Sequence, residues 1–357
     1  MKIVLSGGGT LGPVTPLLAW REAYLNVYPQ TEFVWVGTKN GPERILAQQA
    51  GLPFRAISAG KFRRYFSFKN FWDIVRNVWA FFQSLILLRR EKPDLLISAG
   101  GFVSVPLHWA GAMLGIPQII HQQDIVPGLA NRLMAGLAQK ITLTFQDSAK
   151  FFEADKIEVI GNPSRDFNLV GQMEAKKFFG FNVDDPVVFV TGGGTGSARL
   201  NQMLLEALPS WPKHWQIIHL VGKERPKNRA EHAQSIFENY HVFDFFTGEM
   251  KQAYAAADVV VSRAGMGTLT ELASLKKPAI LLPIIGHQEE NAHYLHSHDA
   301  ALVLNEVVDD GLKLAKLVEE LINSPERRVE LGESLHRVLP IADPARLVEI
   351  INEVVKK

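Results

Sequence analysis

Short runs of consecutive apolar residues recur along the chain, and each is followed by a stretch whose apolar positions return every three or four residues. The first pattern reads as a buried strand and the second as an amphipathic helix. Lys2 to Ser6 is the first strand, Gly7-Gly8-Gly9-Thr10-Leu11-Gly12 a loop, and Pro13 to about Val27 a helix with prolines in its first turn. Glu32 to Val36, Leu95 to Ser98 and Gln118 to His121 continue the alternation, which predicts a doubly wound parallel sheet.

The opening pattern returns at mid-chain. Val187 to Thr191 is followed by Gly192-Gly193-Gly194-Thr195-Gly196 and by a helical run from Arg199 to Ala207. An α/β chain with two Rossmann-like domains is expected. Gly161-Asn162-Pro163 ends a strand with linker chemistry and Asp184-Asp185-Pro186 punctuates the entry to the second sheet, so the boundary is put near Asn162, giving domains 1–162 and 163–342. Further strands are expected at Gln216 to Val221, Val242 to Phe245, Val259 to Val261 and Ala279 to Leu282. An amphipathic helix after Asp343-Pro344, within 343–357, is expected to pack back on the first domain.

The 357 residues are 47% hydrophobic and 21% charged, enough for two cores. A formal net charge of +1 argues against a dedicated nucleic-acid binder. The absence of cysteine excludes disulfides, thiolate catalysis and Cys-bound zinc. Met1-Lys2-Ile3-Val4-Leu5-Ser6 goes straight into a strand rather than a secretory leader, so a cytoplasmic location is expected. The longest mostly apolar run, Val78 to Leu88, is too short for a bilayer span.

Ser262 to Leu272, SRAGMGTLTEL, has a strand, glycine turn, helix layout that suits phosphate. Ala264, Gly265 and Gly267 admit close approach of a ligand, and Glu271, about one turn into the helix, suits a ribose diol. Gly193, Gly194, Thr195 and Ser197 offer amides and hydroxyls to phosphate oxygens, and Arg165 a charge to a diphosphate. Gln288 and Glu289 fall in a cluster of sugar-binding residue types, Pro283 to Asn291. The plain alternative at each place is a tight turn or a solvated side chain. The first loop also matches G-x-G-x-x-G, but Val36-Gly37-Thr38-Lys39 at the end of the second strand lacks the acid that an NAD site requires, and Glu32 lies at the wrong end. His293, His296 and His298 lack a completing carboxylate, and there is no Asp-x-Asp motif, so no metal is expected.

From Lys61 to Arg90, the cations Lys61, Arg63, Arg64, Lys69, Arg76, Arg89 and Arg90 alternate with Phe62, Tyr65, Phe66, Phe68, Phe71, Trp72, Trp79, Phe81 and Phe82. Asp73, Arg76, Asn77, Gln83 and Ser84 fall on a narrow polar stripe, which leaves more apolar helix surface than one sheet contact covers. Docking on an anionic membrane is expected, with Lys61, Arg63, Arg64, Phe66, Phe68, Lys69, Phe71 and Trp72 at the contact. A subunit interface and a lid are the alternatives.

Gly8-Gly9-Thr10, Ser98 to Ser104, His121 to Asp124, Gly161-Asn162-Pro163, the second glycine loop, Ser262 to Leu272 and His287-Gln288 with Asn291-Ala292 occur in one order over nearly the whole chain. As a set they resemble the MurG glycosyltransferases. The resemblance implies a GT-B architecture with two domains facing a cleft. It also implies transfer of N-acetylglucosamine from UDP-N-acetylglucosamine to the undecaprenyl-pyrophosphoryl-muramoyl-peptide acceptor, on the cytoplasmic face of the inner membrane and without a cofactor. By resemblance Glu271 binds the ribose, Thr195 and Arg165 attend the diphosphate beside Gly194, backbone at Ala264 and Gly265 reads the uracil, and Gln288 and Glu289 contact the sugar. Thr10, Gly12 and Asp124 complete the donor contacts from the first domain.

The departures cluster on the acceptor side. Pro13 stands where the family has the histidine proposed near the reacting hydroxyl, and His121-Gln122-Gln123-Asp124 replaces His-Glu-Gln-Asn. Glu289 stands where a second glutamine is common. Asp124 is therefore the expected general base, with His121 the competing candidate. Another GT-B lipid glycosyltransferase, a UDP-N-acetylglucosamine epimerase and a non-catalytic nucleotide-sugar-binding subunit remain as alternatives.

Overall fold

Parallel strands that are apolar on both faces need a helical layer on each side, and the chain supplies one helix after nearly every strand. The computed structural model describes residues 1–9, 12–60, 68–164, 170–194, 196–223, 225–246 and 248–356, apart from the side chains of 68–72 and 74. Two units divide the chain, Met1–Arg165 with Ile341–Lys357, and Asp166–Pro340.

In the first unit the strands are β1 (Lys2–Ser6), β2 (Glu32–Thr38), β3 (Phe54–Ile57), β4 (Leu95–Ser98), β5 (Gln118–Gln122), β6 (Lys140–Leu143) and β7 (Ile157–Val159). Its helices are α1 (Val14–Val27), α2 (Glu43–Gln49), α3 (Phe68–Glu91), α4 (Ser104–Met113) and α5 (Leu129–Ala135). The sheet is parallel in the order β3-β2-β1-β4-β5-β6-β7. In the second unit the helices are α6 (Gln172–Phe178), α7 (Ala198–Ala207), α8 (Asn228–Gln234), α9 (Met250–Ala256), α10 (Met266–Ser274), α11 (His287–Ser297), α12 (Gly311–Asn323) and α13 (Pro325–Val338). Its strands, β8 (Val187–Thr191), β9 (Gln216–Leu220), β10 (Tyr240–Phe243), β11 (Val259–Ser262), β12 (Ala279–Leu281) and β13 (Leu302–Val303), lie parallel in the order β10-β9-β8-β11-β12-β13. Both units are doubly wound parallel sheets.

The last helix, α14 (Pro344–Val355), starts where Asp343 accepts the Ala345 N–H at 2.9 Å and proline occupies the first helical position. Leu347, Val348, Ile350, Ile351 and Val354 enter the same core as Leu17, Trp20 and Tyr24 of α1. Full burial of such side chains stabilises by about 1.5–3 kcal/mol each. Polar ties add direction, because Tyr24 Oη donates to Asn352 at 2.9 Å and Arg346 donates to both Glu158 oxygens at 2.6 and 3.0 Å. The tail of the chain thus completes the first unit.

β10 is shifted relative to its apolar run. β10 begins at Tyr240 rather than Val242, because the fully buried Tyr240 is satisfied by a 2.6 Å bond between its hydroxyl and His219 Nδ1. Phe246, beyond the strand, instead packs with Phe179 and Phe243 in an aromatic cluster.

Candidate functional site

In an open α/β sheet a ligand crevice forms where adjacent strands send their following loops in opposite directions, here between β1 and β4 in one unit and between β8 and β11 in the other. Both glycine loops fall at these points. In the first unit the loop after β1 touches the loop after β4 so closely that a Cβ on Gly101 would stand 2.7 Å from the Gly8 carbonyl oxygen. Ser6 Oγ donates to Ser104 Oγ at 2.9 Å and fastens the roots of the two loops. Gly12 is half-buried just before α1, with Pro13 buried beside it. Thr10 lies outside the described residues.

His121 and Asp124 stand at the end of β5 in different settings. The His121 ring is wholly buried, with Nδ1 3.0 Å from Thr142 Oγ1 and Nε2 2.7 Å from Asn162 Oδ1. The Asn162 oxygen only accepts, so Nε2 carries the proton and Nδ1 accepts from threonine. Burial, partly countered by the Asn162 bond, lowers the His121 pKa to about 4, so the ring is neutral at pH 7. Asp124 is half-buried. Its backbone oxygen accepts from Gln122 Nε2 at 2.7 Å, and Gln122 Oε1 accepts from Asn131 Nδ2 at 2.6 Å, so β5 and α5 together shape this turn.

The sequence showed no acid at the end of β2, yet the fold brings one there. Glu43, the first residue of α2, turns back so that its buried carboxylate meets Thr38 and Gly9. Periodicity gives no signal for a carboxylate that reaches a strand end from the next helix.

In the second unit Gly193 holds a left-handed φ of 72°, and its N–H donates to Thr191 Oγ1 at 3.2 Å. Gly194 is exposed at the loop tip. Ser197 Oγ accepts the Leu200 N–H at 3.2 Å and caps α7. Thr195 and Arg165 lie outside the described residues. After β11, buried Ala264 and extended Gly265 lead into α10, whose first amides point outward with the helix dipole. Gln288 Oε1 accepts the Ile284 N–H at 3.2 Å, and its Nε2 stands 3.6 Å from where a Gly265 Cβ would be. Glu271, half-buried on α10, accepts from Tyr254 Oη at 2.7 Å. Ala264, Gly265 and Gln288 are therefore gathered at one sheet edge, with Glu271 farther along α10. Glu289 is exposed, and its carboxylate accepts the Gly286 N–H at 3.4 Å at the start of α11.

Arg263 was present in the motif without a role. Its Nη1 donates to Leu282 O, Pro283 O and Glu306 Oε2 at 2.8, 3.2 and 2.5 Å, which ties down the strand end preceding Gln288. Among the histidines, His296 Nδ1 faces Ala301 O at 3.3 Å and His298 Nδ1 faces Tyr294 O at 2.8 Å, both on their own helix or its exit.

Lys61, Arg63, Arg64 and Phe66 lie outside the described residues, as do the side chains of Phe68, Lys69, Phe71 and Trp72, which fall on α3. Farther along α3 the polar stripe, Arg76 excepted, turns inward. Asp73 is 2% exposed and Ser84 fully buried, while Asn77 bonds both the N–H and the carbonyl of Gly60 at 3.1 Å. Val75, Val78, Trp79, Phe82 and Ile86 face outward, with Trp79 60% and Ile86 69% exposed. The neighbouring α4 adds exposed Trp109, whose Nε1 reaches Leu133 O of α5 at 3.2 Å, beside exposed Leu129 and Leu133. No helix among the described residues is long and apolar enough to cross a membrane.

Residues 3–143 match the glycosyltransferase family 28 N-terminal domain, and residues 187–339 the glycosyltransferase family 28 C-terminal domain. A UDP-N-acetylglucosamine--N-acetylmuramyl-(pentapeptide) pyrophosphoryl-undecaprenol N-acetylglucosamine transferase 2 of Bacillus cereus is 36% identical over 332 residues, covering 91% of this chain and 93% of that one. The transferase of that description from Legionella pneumophila is 35% identical, covering 99% and 96%. The crystal structure of Acinetobacter baumannii MurG superposes with a TM-score of 0.76 at 23% identity, over 99% of both chains. On likeness of this extent, with both sheets doubly wound and parallel, the chain belongs to the MurG family of GT-B glycosyltransferases.

Proposed function

We propose that this chain transfers N-acetylglucosamine from UDP-N-acetylglucosamine to the 4-hydroxyl of an undecaprenyl-linked muramoyl-peptide, the lipid I to lipid II step of peptidoglycan synthesis. The transfer inverts the anomeric carbon and needs no metal. The observation that carries this reading is Gln288 standing beside Gly265 at the amide end of α10, with Glu271 farther along the same helix, in a chain of this family. Domain 163–342 takes the donor. Glu271 accepts from the ribose hydroxyls, backbone at Ala264 and Gly265 reads the uracil, and Gly194, Thr195 and Arg165 hold the diphosphate. Gln288 and Glu289 bond the sugar, and Thr10, Gly12 and Asp124 are the candidate donor contacts carried by domain 1–162.

The acceptor oxygen attacks the anomeric carbon as the bond to the diphosphate oxygen breaks. Its proton passes to Asp124, and the electron pair leaves with UDP, stabilised by helix amides and Arg165. His121, with both ring nitrogens engaged, holds the end of β5 beside Asp124. The outward apolar stripe of α3, together with Lys61 to Trp72, docks on the anionic cytoplasmic face of the inner membrane and brings the first domain to its lipid-linked acceptor.

Incubating the purified chain with labelled UDP-N-acetylglucosamine and a short-chain lipid acceptor tests the reading. Expected are UDP release, a β-linked disaccharide by NMR, and unchanged turnover in excess EDTA. An α-linked product refutes inversion, loss of turnover in EDTA refutes metal independence, and an epimerised nucleotide sugar with no transfer refutes the transferase.

A further inference from the structure

Two arginines of the second unit converge on Glu306, in the turn between β13 and α12. Arg263 follows β11 with its side chain only 11% exposed, and its Nη1 donates to Glu306 Oε2 at 2.5 Å. Arg199 of α7 takes the same turn by its backbone, with Nε donating to Glu306 O at 3.0 Å and Nη2 to Asp309 O at 2.5 Å. The turn is also closed on itself. The Asn305 N–H donates to Asp309 Oδ2 at 2.7 Å, the Asp309 N–H to Asn305 O at 3.0 Å, and the Val307 N–H to Asn305 Oδ1 at 2.9 Å. The Glu306 carboxylate is therefore presented from a backbone fixed at several points.

The Arg263 nitrogen that meets Glu306 also holds the carbonyls of Leu282 and Pro283, at 2.8 and 3.2 Å. The next N–H along the chain, that of Ile284, donates to Gln288 Oε1 at 3.2 Å. With its oxygen engaged in this way, the Gln288 amide has its NH2 left to donate, and that group stands beside Gly265 at the start of α10. Contacts thus run from Glu306 through Arg263 and the backbone of 282–284 to Gln288. A nearly buried guanidinium needs a counter-charge to stay where it is. Among the described residues Glu306 is the carboxylate that pairs with Arg263.

We infer that Glu306 is a positioning residue for the donor sugar: it holds Arg263 against the strand end, so that Gln288 presents its NH2 to a sugar hydroxyl. The inference rests on the reading of Gln288 as a sugar contact given above.

Calorimetric titration with UDP and with UDP-N-acetylglucosamine reads the sugar apart from the nucleotide and needs no turnover. Glu306→Ala is expected to lose about five- to tenfold in affinity for UDP-N-acetylglucosamine, the size of one net hydrogen bond, while UDP stays within about twofold of the parent. A double-mutant cycle shows whether the loss passes through Gln288. Adding E306A to Gln288→Ala is expected to cost less than about twofold more, because both residues act on one contact. General loosening of the unit weakens both ligands by the same factor, so equal losses overturn the inference. An E306A chain indistinguishable from the parent, or a full further loss in the double variant, overturns it too. Should E306A fold poorly, Glu306→Asp keeps the charge and withdraws it by one methylene. It is expected to show the same selective loss at about threefold, and parent-like affinity or an equal loss for both ligands overturns the inference. If Q288A alone binds both ligands as the parent does, the reading of Gln288 as a sugar contact fails instead.

Discussion

The hydroxyl of Tyr254 donates to Oε2 of Glu271 at 2.7 Å from a fully buried ring packed edge-on against Phe189, so α9 fixes the carboxylate that α10 presents. Burial and then the neighbouring carboxylate raise the Tyr254 pKa well above 10, which keeps the hydroxyl a donor throughout the working range. A carboxylate held in one rotamer meets a ribose without first losing its own freedom. Glu271→Ala is expected to raise the KM for UDP-N-acetylglucosamine by about 10–100-fold, as removal of a hydrogen bond to a charged group of about 1.5–3 kcal/mol requires, with acceptor KM unchanged. Tyr254→Phe is expected to give a smaller rise in the same constant. A donor KM unmoved by Glu271→Ala removes the ribose assignment.

The outward face of α3 predicts a membrane phenotype separable from chemistry. Trp79→Ala and Ile86→Ala are each expected to weaken partitioning onto phosphatidylglycerol vesicles by about 1–2 kcal/mol, since neither side chain packs fully in the protein. Arg63, Arg64 and Lys69 changed to glutamine are expected to cost about 1 kcal/mol each, and added salt to act in the same direction on the parent. Vesicle sedimentation unchanged by both sets of substitutions assigns the stripe to a contact between protein surfaces.

Much of this architecture was legible because parallel strands buried on both faces leave nearly unbroken apolar runs. Val187 to Thr191 is such a run, and it is a strand over those residues. Phe54 to Ile57, Lys140 to Leu143 and Leu302 to Val303 were not legible, being short and, in the first two, interrupted by Arg55 or by Lys140 and Thr142. In the second unit the motif residues Gly265 and Glu271 were readable because glycine turns and helix starts are local. The parts supplied from a distance were silent. Tyr254 behind Glu271, Arg263 beneath the Gln288 loop and Glu43 behind Gly9 each act across strands, and nothing in spacing marks them. On α3 the polar stripe was visible in the spacing, but its direction was not. Hydrogen bonds from Asn77 to Gly60 and from the Ser58 N–H to Gln83 turn it inward.

Buried His121 predicts an acid-sensitive first unit. Its folded pKa of about 4 lies below the ordinary 6.5, so between these values the unfolded chain takes up a proton that the folded chain does not. Stability from this group is complete above pH 6.5 and is lost as pH falls toward 4, by about 3 kcal/mol in all. His108, lowered to about 4 by burial, contributes with the same sign. His121→Gln retains a donor for Asn162 and is expected to flatten the decline of urea midpoint with falling pH. An equally steep decline in the variant shows that His121 is not its source.

The chemical step is tested at Asp124. Pro13 has no titratable group, and both ring nitrogens of His121 are engaged inside the sheet, so neither is placed to take the acceptor proton. Asp124 follows β5 at the carboxyl edge of the sheet, half-buried, in a turn shaped by Gln122 and Asn131. That is where parallel sheets hold their ligands. Asp124→Asn keeps the side-chain shape and removes its basicity, and loss of a general base costs about 10²–10⁴ in rate. A fall in kcat of that size with UDP-N-acetylglucosamine affinity retained is expected. If Asp124 only bonds the donor, the same substitution raises donor KM and leaves kcat within a few-fold, so the division of the loss between the two constants decides whether Asp124 is the base.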